Sequence, residues 1–133
     1  MNFVKDAGNP KKEEIQALLD HVHELISHDE LIIVPRKKNY DFIVYYNLVN
    51  PDNVYEILKK LTVNHFCECQ KSSEQEYAGE LLYIFRIVEN LIDFEGDSED
   101  VEIYIKFGKY KMAAVADISF HGAEYDMTLY NWS

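Results

Sequence analysis

The chain is short of positive charge. Lys and Arg number 13 against 24 Asp and Glu, a net of −11 with pI near 4.8. A protein that grips nucleic acid through a broad basic surface does not have this balance. Long apolar runs are also missing. No stretch approaches the 18 or so residues of a membrane span, and Met1–Asp6 lacks the apolar core of a signal peptide, so a cytosolic protein is expected. Only two cysteines occur, Cys67 and Cys69. A lone C-x-C is too sparse for a four-ligand zinc site and reads as a pair of reduced, structural thiols. With five glycines, no Gly-rich phosphate loop or G-x-S-x-G elbow appears. No motif asks for a cofactor.

What is present suits one folded domain spanning 1–133. Apolar residues make up 47% and charged residues 28%, ordinary globular values that exclude wholesale disorder. The charge is unevenly spread. Seven acids fall between Glu89 and Glu102, with no Lys or Arg among them, and 89–100 reads as a long acidic loop. Outside it the chain is only mildly acidic, so the global charge argues less strongly against an anionic ligand.

The N-terminal half has helical period. Asn9-Pro10 opens a helix over about 10–28, within an N-terminal region of 1–30, and Ile15, Leu18, Leu19, Val22, Leu25 and Ile26 form its buried stripe. His21, His23 and His28 ride on it as solvated side chains. Leu31–Val34 is a short strand or buried connector closed by Pro35. Arg36-Lys37-Lys38-Asn39, the one dense basic cluster, reads as a loop or an anion contact ahead of a helix over 39–47 that Asn39 caps. Asn50-Pro51 opens a third helix to Leu61, paired with the second as a hairpin.

After Leu61 the period changes to two. Phe66–Gln70 reads as an edge strand and Leu81–Val88 as a strand rich in β-branched and aromatic residues. In Val101–Phe107 the residues Val101, Ile103, Ile105 and Phe107 share one face; Glu102, Tyr104 and Lys106 share the other. Gly108–Lys111 reads as the turn into a return strand, Met112–His121. The fold class is therefore α+β, with N-terminal helices packed on an antiparallel sheet. A turn near Lys109 would put Lys106 opposite residue 112 and His121 past the start of its partner strand, on the same sheet face or its rim.

A Lys, a Tyr and a His on one sheet face are the parts of metal-free phosphodiester cleavage. Lys106 would offset phosphate charge, His121 would exchange protons near neutrality, and Tyr104 would stack on a base or share the proton work. No carboxylate pair or metal-ligand spacing stands out beside them.

From Ile33 to Tyr130 the chain resembles the MqsR family of bacterial toxins. The carrying residues are Val34–Asn39, Leu48 to Leu61-Thr62, Val101–Lys106 (V-E-I-Y-I-K) and Ile118–Met127 (I-S-F-H-G-A-E-Y-D-M). The resemblance implies a RelE-like fold and a ribosome-independent mRNA endoribonuclease held in check by a cognate antitoxin. It places Tyr104 and Lys106 on the family's Y-x-K strand and His121 at the end of its last strand. Arg36, Lys37, Lys38, Lys109 and Lys111 would then steer RNA or meet an acidic antitoxin surface. The chain departs from the family at Cys67-Glu68, where members carry a Lys, and near Ile84, where they carry a Gln. The competing readings are a non-catalytic acidic module that sequesters a basic partner, as an immunity protein does, and a degenerate toxin fold.

Overall fold

The structure is a computed structural model. It describes residues 3–5, 10–31, 33, 36–72, 81–110, 114–122 and 128–132; of these, 3–5, 71, 72, 109, 110 and 114–121 are described by backbone alone. The elements run β1 (Phe3–Lys5), α1 (Lys12–Ser27), α2 (Lys37–Tyr45), α3 (Pro51–Lys59), β2 (Phe66–Ser72), β3 (Leu81–Ile92), β4 (Ser98–Tyr110) and β5 (Ala114–Gly122). The fold is α+β: the helices precede an antiparallel sheet, apart from the short β1. The five strands form a meander in chain order, each antiparallel to the next.

The helical expectations are met in kind and shifted at the ends. Ile15, Leu18, Leu19, Val22 and Ile26 of α1 are buried. The Asn50 side chain accepts from the Asp52 amide at 3.0 Å and Pro51 opens α3, as the cap-plus-Pro signal requires. The second helix starts earlier than expected. Arg36 is its N-cap and Lys37 and Lys38 form its first turn, while Asn39 is buried inside the helix rather than capping it. α2 packs on β5, and α3 packs on α1. Of the Leu31–Val34 run, Leu31 is buried and Ile33 forms a single bridge; residues 32 and 34 lie outside the described residues.

One face of the sheet meets the helices. Ile103, Ile105 and Phe107 of β4 and Tyr83, Phe85 and Ile87 of β3 join the helical stripes in the main core. Phe66, Phe85 and Phe107 stack edge to face across β2, β3 and β4, with centroids 5.5 Å apart at each step. The C-terminal segment closes over this stack. The Tyr130 amide donates to the Phe66 carbonyl at 2.8 Å, and the Trp132 indole N–H donates to the Val63 carbonyl at 2.9 Å.

Three sheet expectations are corrected. The stretch 89–100 is not a long loop. Glu89–Ile92 pair with Ser98–Val101, leaving only 93–97 as the turn. Inward Leu91 and Val101 are buried, as is Asp93 in the turn; Glu95, Asp97, Glu99 and Asp100 are exposed, and Glu89 and Glu102 are half-buried. Gly108–Lys111 is not the turn either, because β4 runs to Tyr110. Gly108 sits at a register shift against β5, the role of a strand glycine at a bulge. Finally, β2 is not an edge strand, since β1 pairs with its Gln70–Ser72 end.

The hairpin turn is built by its own side chains. The Asp93 carboxylate accepts from the amides of Glu95 (2.9 Å) and Asp97 (3.0 Å), and Gly96 supplies the positive φ of 92°. Asn47, itself at φ 59°, clamps this turn to the end of α2 by donating to the carbonyls of Ile92 (2.9 Å) and Asp93 (3.0 Å). Asn47→Ala forfeits both bonds and puts in the left-handed region a residue without the polar side chain that lets Asn tolerate it. With about 1–2 kcal/mol for the backbone and about 0.5–1.5 kcal/mol per bond, a loss of about 2–5 kcal/mol is expected in denaturant unfolding. Asn47→Gly should recover the backbone share; equal losses in the two variants would show that left-handed strain is not part of the cost.

Candidate functional site

The face of the sheet turned away from the helices carries the polar side of β4. Cys67, Ile84 and Tyr104 form a small buried cluster there, separate from the main core. Around it lie Glu68, Arg86, Glu102 and Lys106, all half-buried.

The register brings the expected site residues closer than a turn at Lys109 would allow. Tyr104 pairs directly with His121, and Lys106 with Ser119. Directly opposite positions share a face with Cβ atoms about 4.5–5.5 Å apart, and the diagonal from Lys106 to His121 spans about 7–8 Å. His121 is therefore the register partner of Tyr104 and does not lie beyond the start of the partner strand. The difference follows from β4 continuing through Gly108 to Tyr110, which moves the pairing several residues along. As expected, His121 is not the direct partner of Lys106.

Arg86 completes the row and was not singled out by its sequence. It stands opposite Tyr104 on β3, so Arg86, Tyr104 and His121 are neighbours across three strands. Its Nε lies 2.7 Å from Glu102 Oε1, and its Nη2 donates to Oε2 at 3.3 Å, a two-point contact that fixes the guanidinium plane. The available signal was its position as the sole cation in Leu81–Val88. Strand parity was unreadable because both faces of that stretch are apolar.

The basic cluster at Arg36–Lys38 lies elsewhere. α2 packs on the helix side, where Phe42 is buried in the main core and a Cβ built at Gly122 would stand 3.6 Å from its ring. Arg36, Lys37 and Lys38 thus belong to the start of α2 and not to the row on β3, β4 and β5. Lys37 is paired with Asp41 at 2.7 Å, an exposed i,i+4 contact of little energetic weight. Lys109 is in β4 opposite Val115, described by backbone alone, and Lys111 lies outside the described residues. Among the described residues no three His, Cys, Asp or Glu side chains group as metal ligands. Of the helix histidines, His28 is exposed and His21 and His23 are half-buried.

Both thiols are free and buried. Burial pushes Cys67 up from 9.0 to about 12 and Cys69 to about 11, so neither is a thiolate nucleophile near neutrality. Burial likewise raises the Tyr46 hydroxyl to about 12, with help from its bond to Glu99, and raises Tyr83. These groups hold their protons longer folded than unfolded. Their contribution is complete below their ordinary values of 9.0 and 10.0 and is lost as pH rises through the folded values. Cooperative unfolding is expected between pH 9 and 12, followed by circular dichroism, with Cys67 and Cys69 inert to a thiol reagent below that transition. Full thiol reactivity at pH 9 in the folded protein would contradict this.

A cavity of about 340 Å³ lies apart from the sheet face, lined by Leu31, Ile33, Ile43, Leu48, Val54 and Tyr55 among others. The Tyr55 hydroxyl lies 3.2 Å from the Leu31 carbonyl and 3.3 Å from Asp29, so its polar end is already satisfied.

No match is found among protein-family models, curated proteins or solved structures. Among the described residues no helix is long and apolar enough to cross a membrane.

Proposed function

We propose that the chain is a metal-independent endoribonuclease of the MqsR type, the toxin of a toxin–antitoxin module, with a RelE-like fold. The observation that supports this reading is the row Arg86–Tyr104–His121 with Lys106 one pleat along on the same face. The register brings positions bearing two cations, a phenol and an imidazole onto neighbouring places of one sheet face.

In this reading the RNA 2′-hydroxyl attacks the adjacent phosphorus. The P–O bond to the 5′-oxygen breaks, leaving a 2′,3′-cyclic phosphate and a free 5′-hydroxyl. His121 moves the proton, since imidazole titrates near neutrality. Lys106 offsets the charge building on the non-bridging oxygens, with Arg86 beside it. Tyr104 positions the nucleotide. The face is close to neutral at its centre, where Glu68 and Glu102 balance Arg86 and Lys106. The acid-rich turn at 93–97 does not fold over it, because Ser98 is eight strand residues from Lys106, about 26 Å. The substrate is mRNA, the compartment the cytosol, and the inhibitor a cognate antitoxin.

The test is incubation of purified protein with single-stranded RNAs of varied sequence in EDTA, with products read by mass spectrometry. Fragments ending in cyclic phosphate are expected. RNA left intact across all sequences would overturn the nuclease reading.

A further inference from the structure

Where α2 meets the β3–β4 hairpin, a row of rings runs from core to surface. Phe42 is buried and packs on Tyr46 (centroids 4.9 Å), Tyr46 on Tyr45 (4.7 Å), and Tyr45 on Phe94 (5.1 Å, 68° between planes). The outer two rings are open to solvent, Tyr45 at 41% and Phe94 at 63%. They are held in place. Tyr46 donates to Glu99 at 2.6 Å, and the Asn47 clamp fixes the turn that carries Phe94. A preorganised pair of exposed rings is an economical binding surface, because few rotamers remain to be frozen.

The surroundings of these rings select the occupant. Burial first, and then the charges of Asp93, Glu99, Glu95 and Asp97, raise the Tyr45 hydroxyl above the ordinary tyrosine range, so four carboxylates act on it. No Lys or Arg occurs from Ile87 to Ile105. Among the described residues no cation pairs with Glu95 or Asp97, whereas Glu89 and Glu102 at the ends of this segment pair with Lys60 and Arg86. RNA and anionic membranes are repelled by such a surface, and a second copy would bring the same acids face to face. A guanidinium satisfies both features at once, stacking on a ring while bonding a carboxylate, which an ammonium does less well.

We infer that the Tyr45–Phe94 face docks an arginine-bearing, apolar-flanked segment of a partner protein, with the guanidinium on the rings and paired to Glu95 or Asp97. The surface lies some seven strand residues from Tyr104, about 23 Å, so it stands whether or not the chain cuts RNA.

The experiment titrates the full chain into a labelled arginine–leucine peptide and its lysine–leucine counterpart, reading fluorescence anisotropy. The arginine peptide should bind several-fold more tightly. Phe94→Ser should weaken it by about tenfold or more, and so should Glu95→Gln with Asp97→Asn. Removing the same charge from α1, by Glu13→Gln with Glu24→Gln, should change binding by less than about twofold, the small effect of a distant screened charge. All these sites are exposed, so the fold is expected to persist, checked by melting. No binding, no effect of Phe94→Ser, or equal loss from the α1 pair would overturn the inference. So would sedimentation showing a dimer that Phe94→Ser dissolves, which would assign the face to a second copy.

Discussion

Replacement of His121 by alanine is expected to lower the RNA-cleavage rate by about 10²–10⁴-fold, the range for loss of general acid–base help, with the far-ultraviolet dichroism unchanged. The expectation rests on its pairing with Tyr104, one pleat from Lys106. Among the groups of this row only imidazole has an ordinary pKa close to neutrality, about 6.5. Wild-type activity should therefore depend on pH across that region, and whatever remains in the variant should not. Lys106→Ala should slow cleavage through lost charge stabilisation, and Lys106→Arg should restore part of it, since the charge returns with altered geometry. Arg86→Ala tests the residue that register alone brought into the row. It should act on cleavage more than on stability, because its partner Glu102 is left half-exposed rather than buried. Unchanged cleavage in His121→Ala would remove this assignment while leaving a nuclease that uses another proton carrier.

Where one face of an element was apolar and the other polar, its role could be read directly. The α1 stripe and the alternation of Val101–Phe107 are examples, and both bury the residues their periods select. The cap at Asn50 is met by its bond to the Asp52 amide, whereas the same pair at Asn9-Pro10 precedes a helix whose N-cap is Lys11. Reading failed where a second demand masked the period. In Leu81–Val88 both faces are apolar, with Tyr83, Phe85 and Ile87 in the main core and Ile84 buried on the other side, so Arg86 could not be assigned a face. In 89–102 the acids at exposed strand positions hid the inward Leu91 and Val101, and the stretch looked like a loop. Gly108 resembled a turn residue yet sits at a register shift within β4. That one displacement moved the expected register and hid the pairing of His121 with Tyr104. β1, three residues long, is too short to show any period.

Phe85→Ala is expected to destabilise the fold by about 3–5 kcal/mol, the usual cost of removing a fully buried ring. Phe85 is wholly enclosed and is the middle of three stacked rings, 5.5 Å from both Phe66 and Phe107. Its removal opens a cavity at the join of β2, β3 and β4 that fixed backbone pairing cannot close. Against a typical total of about 5–15 kcal/mol, that loss consumes a large share of the stability. The chain carries its own reporter, because its single tryptophan, Trp132, has its ring centroid 5.8 Å from that of Phe66 and leaves this environment on unfolding. The denaturant midpoint read by its fluorescence should fall with the slope unchanged, the mark of a stability change in a two-state transition. Phe85→Leu keeps part of the volume and should lose less. Phe94→Ser, at the exposed end of the aromatic row, should shift the midpoint by no more than about 0.5 kcal/mol equivalent, as expected of a surface site. A Phe85→Ala loss below about 1 kcal/mol would mean that the ring stack is not the centre of the core.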